Sequence, residues 1–344
     1  MIRLVSLFTL LMTLASTLRA NDSASELAAG GLVLVKNDAI TMQAEDLYIS
    51  PTEIRVRYEM RNNRASPVTL RVAFPLPELP IETPGGMDIS GPTGHSVGHN
   101  IEIPFRDQAN FIQFRLKVNG QYVFPKLEIR AMLPDGRDLL SDLRAIGGWS
   151  LVLRPRLMVS VPASDEPFEF DVGPNRVRDL RALGALDGDE AGGFPRWKTL
   201  VTYHWMQTFP PGVTIIEHRY HPITGGFFLT VRNDTPIGGA VGTPDDLVSA
   251  YCLGKSQIDA IKQWTGPKEY SYVSATTVAY ILSTGANWAG PIEHFHLTID
   301  GGAETRLISA CAEIPLTATG PSKLEGRMEN FHPRKELGVL MIRN

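Results

Sequence analysis

The residues able to do chemistry are few, and none sits in the local setting its chemistry needs. Gly94-His95-Ser96-Val97-Gly98 matches G-x-S-x-G, the pattern that places a nucleophilic serine on a strained strand-to-helix turn. Its flanks, Gly91-Pro92-Thr93 and His99 to Pro104, supply neither the strand nor the helix, so the match reads as loop. Eight histidines are present: His95, His99, His204, His218, His221, His294, His296 and His332. His294-x-His296 sets two imidazoles on one side of a strand, about 6–7 Å apart along it. A third ligand from His204, His218 or His221 would complete a metal site. No carboxylate or cysteine motif accompanies the pair, so a solvated polar face is the plainer reading. No metal and no cofactor is expected, and His294, His296 and His204 stand as weak candidates.

Other motifs fail on spacing. Asp187-Gly188-Asp189-Glu190 offers oxygens for calcium without the EF-hand run of ligands. Gly254-Lys255-Ser256 is no phosphate loop, because position 249 is Ser rather than Gly. There is no G-x-G-x-x-G. Trp197, Tyr203 and Trp205 share one parity of a strand candidate over 196–208. With Tyr220 and Trp264 they could form a platform for sugars or a partner strand, but that parity is also the one a core would bury. Cys252 and Cys311 are the two cysteines. In an exported chain such a pair is most simply a disulfide, closing a loop of about 60 residues for about 4 kcal/mol by the chain-entropy estimate.

These side chains must be positioned by strands. Residues 49–80 carry the cleanest signal: Ile54, Val56, Tyr58 and Met60 alternate with Arg55, Arg57, Glu59 and Arg61, the period of two of a half-buried strand. Asn62, Asn63 and Ser66-Pro67 supply turn chemistry. Val68, Leu70, Val72 and Phe74 then mark a second strand, ended by Pro75, Pro77 and Pro80. The stretch predicts a β-hairpin with a solvated face carrying Arg55, Arg57 and Arg61 and no site. It leads into a Gly-, Pro- and Ser-rich loop at 81–105. Asn119-Gly120 is a strong hairpin signal. Short helices are expected over 138–146 and 175–183, and a longer helical region over 244–264. The fold expected is mainly β: two antiparallel β-sandwich-like lobes with a few short helices between and beside them. The organisation expected is a signal peptide at 1–20, an N-terminal lobe at 21–133, a mixed α+β segment at 134–265 and a C-terminal β lobe at 266–344, with the alternative that the last two form one continuous domain.

Arg3 followed by the uncharged run Leu4 to Ser16 fits a secretory leader cut after Ala20. That run is short of the roughly 20 apolar residues that span a bilayer, and no later stretch is long enough. The net charge of −4 and the lack of a basic stripe exclude nucleic acid as an expected partner. The chain is expected to be periplasmic or secreted.

Several stretches then resemble one family together. They are Gly30-Gly31-Leu32-Val33, Ile49-Ser50-Pro51, Phe74-Pro75-Leu76-Pro77, His204 to Pro210, His218-Arg219-Tyr220-His221-Pro222, Phe295 to Asp300 and Asn330-Phe331-His332-Pro333. They resemble the exported bacterial proteins grouped as domain of unknown function 4424, over nearly the whole mature chain. The resemblance implies a cell-envelope or secreted protein and transfers no activity. More loosely, the strand pair ending Phe-Pro-Leu-Pro is similar to the vault/inter-α-trypsin β-domain. The expected function is a non-enzymatic binding or structural module meeting a protein or glycan of the envelope. The competing expectation is an envelope hydrolase or metal-dependent enzyme with a site near His204, His218 and His294.

Overall fold

The strand Ile54–Asn62 lies near the middle of the largest sheet. The structure, a computed structural model, describes residues 23–28, 31–77, 110, 112–147, 152, 159–160, 173–189, 192–231, 238–239, 250–266 and 271–343. Among them, the broad sheet runs in the order Thr317–Gly320, Lys323–Phe331, Ile292–Asp300, Ile40–Ile49, Ile54–Asn62, Gly212–Tyr220, Arg115–Val118, Gln121–Val123. It takes strands from each of the stretches 21–133, 134–265 and 266–344. All its pairings are antiparallel except that of Ile292–Asp300 with Ile40–Ile49, which is parallel.

Two five-stranded sheets pack on the inner face of the broad one. The first is ordered Gly31–Val35, Ser23–Ala28, Val68–Pro75, Lys198–Phe209, Lys126–Met132. The second is ordered Gly238–Gly239, Thr224–Val231, Ser271–Tyr280, Leu337–Arg343, Thr305–Ala310. One buried cluster joins all three, running from Val72, Phe74 and Trp205 through Val56, Tyr58 and Leu297 to Val278, Tyr280 and Met341. Tyr58 and Tyr280 meet through their hydroxyls at 3.3 Å, and Phe209 packs edge-on against Trp288. The molecule is thus mainly β, with two sandwich-like lobes sharing one sheet. Burying each large side chain contributes about 1.5–3 kcal/mol.

Residues 49–80 correct the hairpin expectation. Ile54–Asn62 pairs with Ile40–Ile49 and Gly212–Tyr220 in the broad sheet. Val68–Pro75 pairs with Lys198–Phe209 in the facing sheet. The chain between them crosses the core as an arch. Alternation cannot tell the two cases apart, because each strand has one apolar face whether the two lie side by side or face to face. Asn62, buried, pins the crossing: its Oδ1 accepts from the Arg64 amide, and its Nδ2 donates to the carbonyls of Ser66 and Phe209. Phe209 ends a strand of the facing sheet, and Gly212 begins the broad-sheet strand opposite Asn62. Two arches therefore cross the core at the same end.

Helices are short. Leu140–Ala145 and Gly173–Ala182 fall where helical spacing predicts them. Lys255–Thr265 packs Ile261, with Ile258 and Trp264, on the far side of the second five-stranded sheet against Phe227, Leu229, Val273 and Ile342. Cys252, just ahead of this helix, is bridged to Cys311 at a Cα–Cα distance of 5.0 Å. The disulfide ties the helix entry to the end of the strand Thr305–Ala310.

Candidate functional site

Alternation sends every second residue of the broad sheet to its outer face, and register decides which of them meet. Tyr48, Arg55, Arg219 and Arg115 stand directly opposite one another on four adjacent strands. The next row holds Asp46, Arg57, Glu217, Lys117 and Tyr122. Side chains directly opposite in an antiparallel pair lie about 4.5–5.5 Å apart at Cβ, where like charges destabilise and opposite charges stabilise. The second row alternates in sign. The first sets three arginines side by side.

Counter-charges confirm the imbalance. Glu53 pairs with Arg55 at 3.3 Å and also with Arg219. Arg115 makes no ion pair among the described residues and is exposed. Arg57 has its own partner, Glu59, at 2.7 Å. Lys117 lies over the Tyr122 ring and Arg55 over the Tyr48 ring, 4.9 Å and 4.0 Å from the centroids. At the other margin Lys323 bonds Glu325 at 2.8 Å. That bond holds the ammonium above its usual range and the carboxyl below its own. Burial, then the neighbouring Asp300 carboxylate, pushes the Tyr48 hydroxyl up. Tyr48, Arg55, Arg57, Arg115, Arg219 and Lys323 are among the side chains that line an open trough of about 540 Å³.

A second cavity of about 450 Å³ adjoins it and shares Arg115 and Tyr122 with it. Its walls are apolar, with Phe114, Leu116, Val123, Phe124 and Leu127. The Asn119-Gly120 turn joins the two strands that bring Leu116 and Val123 to this wall. Both residues take positive φ, 48° and 79°, the geometry of the tight hairpin turn the dipeptide favours. Asn119 also exchanges hydrogen bonds with the Ile215 backbone, donating its amide to the carbonyl and accepting from the Ile215 N–H through Oδ1. The return then breaks at Phe124-Pro125. Gln121–Val123 stays in the broad sheet and Lys126–Met132 joins the facing one. Phe124 is left 91% exposed at the break.

The histidines named as candidates are not brought together. His294 is exposed and pairs with Glu329 at 2.5 Å. His296 lies in the trough, with Nδ1 3.1 Å from Asp46 Oδ1 and Nε2 3.9 Å from Glu325 Oε2. His218 is on the opposite face, buried among the rings of Phe74, Phe114, Tyr58 and Trp205. His204 is half-buried on the facing sheet, between Ala73 and Lys126. Burial, then the charge of Arg71, lowers its pKa. His221 Nδ1 meets the Thr52 carbonyl at 2.6 Å. Among the described residues no group of three or more His, Cys, Asp or Glu could hold a metal ion. Gly94 to Gly98, His95, His99 and Glu190 lie outside the described residues. Trp197, Tyr203, Trp205 and Tyr220 are buried, so the aromatic platform is core. Gly254-Lys255-Ser256 is a helix start whose Gly254 amide donates to Gln257 Oε1.

The arginine row is the arrangement that motif reading passes over. A usable signal was present: Arg55, Arg115 and Arg219 each fall on the outward parity of a strand. Among the described residues no helix is long and apolar enough to cross a membrane.

A family model described as a domain of unknown function (DUF4424) matches residues 20–340. No curated protein matches the chain. One similar solved structure is that of a Legionella pneumophila subsp. pneumophila str. Philadelphia 1 protein named "putative nutrient binding protein". It is 14% identical, with a TM-score of 0.42, over 94% of this chain and 70% of that one.

Proposed function

Since the chain belongs to the DUF4424 family, whose description states no activity, we propose from its own geometry that it is a non-enzymatic binding module for an acid-bearing component of the cell envelope. One observation carries this reading. Arg55, Arg219 and Arg115 are adjacent across three strands, with Glu53 the carboxylate shared by two of them and Arg115 unpaired among the described residues. A row of like charges lowers stability, and a carboxylate, phosphate or sulfate laid along it offsets that cost. Charge-assisted hydrogen bonds from guanidinium to such oxygens contribute about 1.5–3 kcal/mol each. The apolar leader at 4–16 and the Cys252–Cys311 bridge support an exported setting.

Titrating the full mature chain with inorganic phosphate and with a short linear oligogalacturonate tests the proposal. Both are expected to bind at low salt and to weaken as ionic strength reaches 0.15 M, where the screening length is about 8 Å. Arg115→Gln with Arg219→Gln should cost at least tenfold, and a neutral oligosaccharide of equal length should not bind. Equal binding by the double variant, or no binding of either anion, would overturn it.

A further inference from the structure

We propose that the acid recognised by the arginine row is the head of a single-chain amphiphile whose hydrocarbon tail enters the adjoining apolar cavity. This rests on the acid-binding reading above and names its ligand class.

Three observations carry it. The two cavities are contiguous, with Arg115 and Tyr122 lining both, so a molecule held by Arg115 has an apolar continuation within reach. Apart from Arg115 and Tyr122, which it shares with the trough, the polar side chains of the second cavity are already bonded: Asn110 Oδ1 accepts from the Phe114 amide and the Tyr203 hydroxyl, and its Nδ2 donates to the Phe114 carbonyl. A sugar there would leave its hydroxyls unpaired, which costs more than a missing contact, whereas methylenes lose nothing. Lastly, Phe124 stands 91% exposed on the cavity wall. Pro125 follows it and cannot donate to a ladder, so the chain leaves the broad sheet and the ring faces solvent unless a guest covers it.

The trough fits the head equally well. Arg115 carries no ion pair among the described residues, and Arg219 shares Glu53 with Arg55. The row beside them, Asp46, Arg57, Glu217 and Lys117, sets carboxylates next to the arginines and so favours a head of one or two charges over a longer polyanion. An acidic head of one or two charges with an apolar tail matches both halves.

The test is calorimetry of the full mature chain with methyl, hexyl, octyl and decyl phosphate, each below its micelle concentration. Affinity is expected to rise about fourfold per methylene until the cavity is full. Phe124→Ser changes an exposed residue and should flatten that series while leaving methyl phosphate unchanged. Arg115→Gln should weaken every member at least tenfold. Equal affinity for methyl and decyl phosphate would overturn the amphiphile and leave acid binding standing. Equal affinity for decyl phosphate and uncharged decyl glucoside would overturn acid binding itself, and no binding at all would overturn both. Capture by phosphatidylglycerol vesicles without binding of monomeric alkyl phosphates would overturn the amphiphile in favour of a lipid surface.

Discussion

Two neighbouring rows on one face of one sheet differ in how they settle their charge. The row of Asp46, Arg57, Glu217 and Lys117 alternates in sign from strand to strand. The row of Arg55, Arg219 and Arg115 does not. Both stand on the same backbone, on three of the same strands, and no residue of either is buried, so neither propensity nor a place in the core separates them. The alternating row is what a sheet surface becomes when its cross-strand pairs stabilise it. The arginine row forgoes that gain and relies on one carboxylate, Glu53, at its margin. A surface that gives up stability at one place and keeps it at the next is read most simply as carrying a task at the first.

That contrast can be broken by substitution. The largest effect is expected on binding: Glu217→Gln removes a negative charge beside the arginine row and should raise phosphate affinity severalfold, whereas Arg219→Gln should lower it at least tenfold. Titration at fixed ionic strength reads both, and equal responses would erase the distinction between the rows. A smaller effect is expected on folding. Arg115→Thr removes a like-charge neighbour and should stabilise the protein by up to about 1 kcal/mol, while Arg57→Thr removes an ion pair and should destabilise it by about as much. Chemical denaturation at low salt measures the pair, and the difference should shrink at high salt. The smallest effect tests whether crowded cations act alike on the facing sheet. Burial, and then the charges of Arg71 and Lys126, hold the pKa of half-buried His204 below the ordinary 6.5. The unfolded chain therefore takes up more protons than the folded one as pH falls through that value. Stability present above about pH 6.5 should decline below it, and His204→Gln should remove that component in thermal melts at pH 7.5 and pH 5.5.

The strands themselves were legible. Ile54 to Arg61 alternates so strictly that its faces follow from the residues, as do those of the strand bearing Tyr203 and Trp205. What one parity cannot state is a partner. The same alternation serves a hairpin and an arch, and the pairing of Val68–Pro75 with Lys198–Phe209 rather than with Ile54–Asn62 distinguishes them. The candidate site was lost for the same reason. Arg55 and Arg57 read as solvated surface because their neighbours, Arg219, Glu217 and Arg115, are supplied by strands some 60–160 residues further along. A pattern within one segment carries no register between segments. His218 shows the reverse failure: a residue type tied to chemistry sits among four aromatic rings in the core.

The parallel pairing at the centre of the broad sheet also dictates when the protein can become itself. Asp46 meets His296 across 250 positions of chain, and residues 44–49 have no neighbour on that side until 294–299 arrive. At about 5–20 residues per second, synthesis needs roughly 10–50 s to span that interval. Through that time the strand Ile40–Ile49 offers an unpaired edge to any extended segment it meets. Closure over so long a loop is also slow in itself. The N-terminal strands therefore wait on the later ones, and the broad sheet closes only after residues 294–299 have been made.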